Sequence, residues 1–251
     1  MTTVGVLQAR MGSSRLPGKM MYPLACRPVV EHVVRRVQRA ETLDELVVAI
    51  SEHPSDDVLK TTLHDLSVTT FRGSEQDVLA RIYDAAVDAG ADDIVRICGD
   101  TPLLSPAVVD AVVERLWATD ADYVYTMEPR TFPRGLDVEA FSARSFEQVA
   151  DRADQPHQRE HVTVYYREHS SEFDLETVTS ANVFDDDTLV DRPGLRLTLD
   201  EAADYELFRR VYDELDFEGI IALRDAVDYI DSHELASINE HVEQRAATDS
   251  G

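Results

Sequence analysis

The order of apolar runs constrains this chain most. Residues 4–7 form a short apolar run closed by a glycine-rich turn. Pro28 then opens a stretch in which Val29, Val30, Val33, Val34 and Val37 recur at helical spacing. Residues 45–50 (ELVVAI) read as the next strand, followed by a helix capped by Ser55 and reaching about Leu66. Residues 68–71 are a third strand, and Ser74 with Asp77 resembles a capping box for a helix that Gly90 ends. Residues 93–98 (DIVRIC) are a central strand, Ser105-Pro106 starts a helix ending near Trp117, and 122–126 is another strand. Strand and helix thus alternate five times with short connections. That pattern requires an α/β fold, a doubly wound and mostly parallel sheet covered on both faces. Ligands in such sheets sit beyond the carboxyl ends of the strands. The loop after the first strand and Gly99-Asp100 after the fourth share that edge, and are expected to face one site.

Beyond Met127 the rhythm breaks at Pro129, Pro133 and Gly135. Helices are expected over 143–152 and 156–169, and LRLTL at 195–199 restores a strand that ends in Asp200. Residues 201–215 read as a helix, and the chain from Ala222 as helical until a polar tail, AATDSG, that frays. A length of 251 residues suits a single domain, residues 1–251, with an insertion at 129–191. No apolar run approaches the ~20 residues of a membrane span, and the first residues lack the pattern of a secretory signal. Cys26 and Cys98 are too few for a disulfide framework. The expectation is a reduced, cytoplasmic protein.

Charge narrows the class further. Twenty-four basic residues against 49 acidic ones give a net charge of −25, and only Lys19 and Lys60 are lysines. Strong acidity with scarce lysine resembles halophilic proteins, whose hydrated acidic surfaces resist salting out. It also argues against nucleic acid or an anionic membrane as a partner. Yet residues 1–40 hold seven Arg or Lys and one acid, Glu31. Arg35, Arg36 and Arg39 fit the wet face of a helix. Arg10, Arg15 and Lys19 lie in the glycine loop itself and point to a bound anion.

That loop, QARMGSSRLPGKMM at 8–21, is not a Walker A motif. Five residues separate Gly12 from Gly18 where four are required, and Met20 replaces the hydroxyl that would hold Mg²⁺. Asp100 (ICGD) and Asp200 (LTLD) each end an apolar run. Either alone could simply cap the next helix. Opposite a basic glycine loop, the pair suits Mg²⁺ on a nucleotide's phosphates.

Six blocks in order, QARMGSSRLPGK, FRGSEQDVL, VRICGDTPLL, TFPRGLDVEAF, QREHVT and RLTLDEAADYEL, resemble the cytidylyltransferase family. They are most similar to its spore-coat polysaccharide biosynthesis branch, related to the synthetases of CMP-KDO and CMP-sialic acid. The resemblance covers about residues 4–215. It implies a GT-A-like, Rossmann-like nucleotidyltransferase fold and transfer of CMP from CTP to an acidic sugar or related acceptor, with release of pyrophosphate. It implies that Arg10, Ser13, Arg15 and Lys19, with Gly12 in the same signature, grip the triphosphate. Gln8 and Ala9 would line the nucleotide pocket, and Arg72, Ser74 and Glu75 would border the nucleoside. Asp100 and Asp200 match the metal-binding aspartates. On the acceptor side stand Arg134 and Asp137 of PRGLD, with Arg159 and His161 of QREH, where an arginine can fork a carboxylate. Arg159 and His161 could instead make contacts within a helix or across a dimer. Homodimerisation through 129–191 is likewise what the family implies.

Two rival readings stay open at this stage. A GT-A glycosyltransferase would place Asp-x-Asp at the metal-binding strand end, where Cys98-Gly99-Asp100 stands, and Asp120-Ala121-Asp122 falls at the opposite edge. A binding module without turnover would be expected to lack an acidic ligand, and both are present.

Overall fold

The computed structural model describes residues 1–243. The polar tail expected to fray, 246–251, lies outside them. Nine strands are described: β1 Thr3–Gln8, β2 Pro23–Leu24, β3 Arg27–Pro28, β4 Glu45–Ser51, β5 Thr69–Gly73, β6 Asp93–Cys98, β7 Tyr123–Tyr125, β8 Glu139–Ser142 and β9 Leu175–Thr177. The described helices are α1 Val29–Val37, α2 Asp57–Asp65, α3 Val78–Asp88, α4 Pro106–Thr119, α5 Ala143–Arg152, α6 Pro156–His161, α7 Val164–Glu168, α8 Ala202–Glu214 and α9 Leu223–Ser232.

Seven strands form one sheet in the order β5-β4-β1-β6-β8-β7-β9. Only β8 runs antiparallel to its neighbours, so the sheet is mostly parallel, as the alternation requires. Helices cover both faces. Val29, Val33 and Val37 of α1, Val109 and Val113 of α4, and Leu207 and Val211 of α8 belong to one core. Val78 and Ile82 of α3, Phe146 of α5, and Tyr165 and Tyr166 of α7 belong to the other. Alternate residues of one strand feed opposite layers: Val4 and Val6 enter the second core, and Leu7 the first.

Several local expectations need correction. The stretch 195–199 is extended and its leucines are buried, yet it joins no sheet and makes only an isolated bridge between Arg134 and Arg196. Its partners are loops: Arg134 N donates to Leu195 O, and Leu199 N donates to Asp100 O at 2.8 Å. The helix expected over 156–169 splits at Val162, whose φ of 53° no helix tolerates. Ser55 does not cap α2. A 3₁₀ turn at Pro54–Asp56 precedes that helix, capped by the His53 side chain. Asp77, not Ser74, is the N-cap of α3, and Ser74 Oγ accepts from Asp77 N at 3.0 Å.

Between the cores, β6 and β8 share a buried ion pair, Arg96 with Glu139, joined by the hydroxyls of Tyr123 and Thr163. Burial alone would raise the Glu139 pKa, but Arg96 and the two hydroxyls hold it below the ordinary carboxylate value. The loop before β8 turns at Gly135, whose φ is 99° and where a Cβ would overlap the Leu197 carbonyl. Gly135→Ala is therefore expected to cost about 3 kcal/mol, read as a lower urea midpoint with an unchanged m-value.

Candidate active site

Three stretches meet at the carboxyl edge of the sheet. The chain leaves β1 after Gln8 and folds the loop 9–18 back on itself, with Ser13 N and Gly18 N both donating to Met11 O, at 2.9 and 3.0 Å. Gly18, at φ 75°, turns the loop into a single 3₁₀ turn, Lys19–Met21. Beneath the loop, Asp56 is fully buried: Oδ1 accepts from Met11 N at 2.8 Å, and Oδ2 from Ser51 N and Oγ at 3.0 and 2.6 Å. Asp56 thus ties the glycine loop to the end of β4.

Lys19 stands at the centre. Its Nζ donates to Asp100 Oδ2 at 2.8 Å, Leu199 O at 2.7 Å and Asp200 Oδ1 at 3.0 Å. All three ammonium protons are used. Arg15 Nη2 lies 3.0 Å from the same Asp200 Oδ1, and its Nη1 lies 3.4 Å from Glu201 Oε1. Burial disfavours a charged Lys19, but Asp100 and Asp200 outweigh it and raise the pKa above the ordinary lysine value. Burial would raise the Asp200 pKa too, but Lys19, Arg15 and Arg196 lower it below the usual carboxylate value. Lys19 and Asp200 are therefore both charged at neutral pH. Arg15, Lys19, Asp100 and Asp200, distant in sequence, are brought together.

A second layer fixes Asp200. Arg196 Nη2 donates to Asp200 Oδ2 at 2.8 Å, and Arg196 Nε to Asp204 Oδ1 at 2.8 Å. Asp204, 0% exposed, also accepts from Asp200 N and Glu201 N, each at 2.9 Å, and from Asn239 Nδ2 at 2.9 Å. Asp56, Arg196, Asp204 and Asn239 were missed from sequence. Only Asp204 carried a local signal, as the third residue of a reciprocal cap with Glu201 at the start of α8.

The other expected residues divide. Gln8 Oε1 accepts from Arg96 Nε at 3.0 Å, and Ala9 is buried beside it. Ser13 Oγ accepts from Leu16 N at 3.3 Å, inside the loop. Gly12 faces Glu75, whose Oε1 would lie 3.0 Å from a Cβ there. Arg10 and Glu75 line a cavity of about 510 Å³ with Asp77, Arg159 and Glu160. Arg134 is half-buried, and its neighbour Arg130 takes Asp137 at 2.8 Å. Arg10 and Arg134 pair with no carboxylate among the described residues, in a chain with twice as many acids as bases.

Arg72 is not brought to the cluster. Its guanidinium binds Asp57 at 2.6 Å and the carbonyls of Ser51 and His53, bolting β5 to the loop after β4. Ser74 Oγ is occupied by the turn before α3. Arg159 grips Asp77, with Nη2 at 2.6 Å from Oδ2, and clasps α6 to α3. His161 Nε2 is buried without a hydrogen-bond partner, and burial lowers its pKa, so the ring is neutral at pH 7.

Among the described residues no group of three or more His, Cys, Asp or Glu side chains could hold a metal ion. Asp100 and Asp200 nevertheless supply two hard oxygen donors that share one cation, and Asp100 engages it through Oδ2 alone. That donor set fits Mg²⁺, which takes one or two carboxylates and fills its octahedron with substrate phosphates and water. No described helix is long and apolar enough to cross a membrane.

A doubly wound sheet with such a cluster at its carboxyl edge is the arrangement of a nucleotidyltransferase. The sequence is more specific. Residues 4–219 match the cytidylyltransferase family, and the chain belongs to that family. An uncharacterized protein of Methanocaldococcus jannaschii is 33% identical over 247 residues, 98% of each chain. The spore coat polysaccharide biosynthesis protein SpsF of Bacillus subtilis is 30% identical over 212 residues, covering 82% of this chain and 85% of that one. A cytidylyltransferase structure from Leptospira borgpetersenii superposes with a TM-score of 0.86 at 27% identity, covering 98% of this chain and all of the other.

Asp204→Asn keeps the shape of the second layer but removes the fully buried one of the two carboxylates that the Arg196 guanidinium holds. A loss of about 3 kcal/mol is expected, measured by chemical denaturation.

Proposed function

We propose that this cytidylyltransferase transfers CMP from CTP to an acidic sugar or related acceptor in the cytoplasm, releasing pyrophosphate, in the synthesis of a surface polysaccharide or glycan. The observation that carries the reading is the convergence of Arg15, Lys19, Asp100 and Asp200 at one point of the carboxyl edge. The name of the Bacillus subtilis relative supports the glycan assignment.

In this reading the loop 9–18 wraps the triphosphate, and Arg10 meets an anionic oxygen that no protein carboxylate neutralises. Gln8, held by Arg96, lines the nucleotide pocket, and Glu75 borders the nucleoside. The acceptor oxygen attacks the α-phosphorus in line with the departing pyrophosphate, and no covalent enzyme intermediate forms. Arg15 and Lys19 stabilise the negative charge that builds on the leaving group. Asp100 and Asp200 would hold Mg²⁺, which when bound would supply Lewis-acid stabilisation of phosphoryl charge and a lowered pKa for the attacking hydroxyl. Arg134, without a carboxylate of its own, forks the acceptor's carboxylate beside Asp137. Segment 129–191 contributes these acceptor contacts and the surface for a second copy of the chain.

Pyrophosphate release with CTP, each other nucleoside triphosphate and an acceptor panel tests the reading, with mass spectrometry of the product. Turnover is expected with CTP and an acidic sugar. Asp100→Asn should lower kcat by at least ~10²-fold while CTP still binds, since the loop remains intact. Wild-type turnover in Asp100→Asn at saturating Mg²⁺ would refute the assignment. Arg134→Ala should raise the KM for the acceptor about 10-fold or more and leave the KM for CTP unchanged.

A further inference from the structure

Lys19 is expected to grip phosphate, yet none of its ammonium protons is available. Nζ is saturated by Asp100, Asp200 and the Leu199 carbonyl at 2.7–3.0 Å, and the side chain is only 10% exposed. The ammonium also sits between the two carboxylates assigned to the divalent cation. One cation already holds the position that another needs.

Resting on the function proposed above, we infer that Lys19 is a resident counter-cation, exchanged for the divalent metal only when a triphosphate is present to receive the ammonium. The metal then enters as a metal–nucleotide complex and not by itself. A free cation arriving at the pair must push out an ammonium that has no other partner, and an unpaired charge in a shielded site is costly. Mg²⁺ adds its own reluctance to shed water. A triphosphate changes the balance, because it gives the ammonium new acceptors as it leaves the old ones.

The surroundings suit such an exchange. Lys19 begins a short turn whose backbone is pinned, with Lys19 N donating to Leu16 O at 3.2 Å and Tyr22 N donating to Lys19 O at 3.2 Å. The flexible four-carbon stem can therefore swing while the main chain stays in place. Asp200 keeps Arg15 on one oxygen and Arg196 on the other after Lys19 departs. Asp100, whose only ion-pair partner among the described residues is Lys19, becomes a free ligand. A lysine serves here because a compact ammonium fits between two carboxylates where a planar fork would not.

The chain offers an unusually direct test, because Lys19 and Lys60 are its only lysines and Lys60 is exposed on α2. Wild-type protein labelled with ¹³C,¹⁵N-lysine gives two side-chain ε-methylene signals, with Lys60 as the internal reference. Excess Mg²⁺ alone should leave the Lys19 signal in place. Mg²⁺ with CTP should shift it to a new position, and the Lys60 signal should not move. A full shift with Mg²⁺ alone would overturn the inference, as would an unmoved signal in protein that calorimetry shows to be saturated with CTP. Failure to bind CTP at all would remove the proposed function, and this inference with it. As a second arm, Mn²⁺ binding to nucleotide-free Lys19→Met, followed by electron paramagnetic resonance, should be at least about tenfold tighter than in wild type. It should weaken again in Lys19→Met/Asp100→Asn. Equal affinity in wild type and Lys19→Met would contradict the exchange. If Lys19→Met does not fold, the wild-type spectra decide.

Discussion

One buried ammonium between two carboxylates organises the active end of this protein. Lys19 comes from the loop after β1, Asp100 from the end of β6 and Asp200 from the extended stretch before α8. In sequence they are separated by 81 and 181 positions, so the contact exists only when the sheet is complete. Each flanking group answers to this charge balance. Arg15 and Arg196 complete the neutralisation of Asp200, Asp204 completes that of Arg196, and Asn239 reaches back from near the end of the described chain to hold Asp204. Asn239 lies beyond the stretch that matches the family, residues 4–219. The last part of the chain therefore supports the site from behind.

The rest of the fold makes this balance possible. The parallel strands β1 and β6 deliver Lys19 and Asp100 to one edge, the extended stretch 195–199 brings Asp200 against Asp100, and Asp56 pulls the glycine loop down onto the end of β4. The buried pair Arg96–Glu139 holds Gln8 at the end of β1, linking the site to the antiparallel strand β8 and, through Thr163, to the start of α7. Arg10 lines the cavity with Glu75 and the Arg134 backbone bridges to Arg196, and neither side chain makes an ion pair with a carboxylate among the described residues. The function proposed above gives each of them an anion as partner, the triphosphate for Arg10 and the acceptor for Arg134.

Sequence reveals what local physics dictates. The alternation of apolar runs gave the parallel sheet, and strand-end aspartates opposite a glycine loop gave Lys19, Asp100 and Asp200, because strand ends and loop glycines are local signals. Tertiary partners were not legible. The four residues of β8 are too short to show a period, although they sit between β6 and β7. The leucines of 195–199 read as a strand because they alternate in sequence with Arg196 and Thr198, but their hydrogen bonds go to loops. Arg72 was expected beside the nucleoside, and its ion pair with Asp57 was not legible across 15 positions. Arg196 read only as a strand residue, although its partners Asp200 and Asp204 lie four and eight positions on, and Asn239, 35 positions from Asp204, could not be read at all.

In the proposed function this charged cluster receives a metal-bound nucleoside triphosphate. Isothermal titration calorimetry of the wild-type protein with CTP in excess Mg²⁺ tests it most directly. A saturable heat corresponding to one nucleotide per chain is expected, lost when Arg15 and Lys19 are both replaced by alanine in protein that still melts cooperatively. A flat titration of folded wild-type protein, or an unchanged isotherm in the double variant, would contradict it.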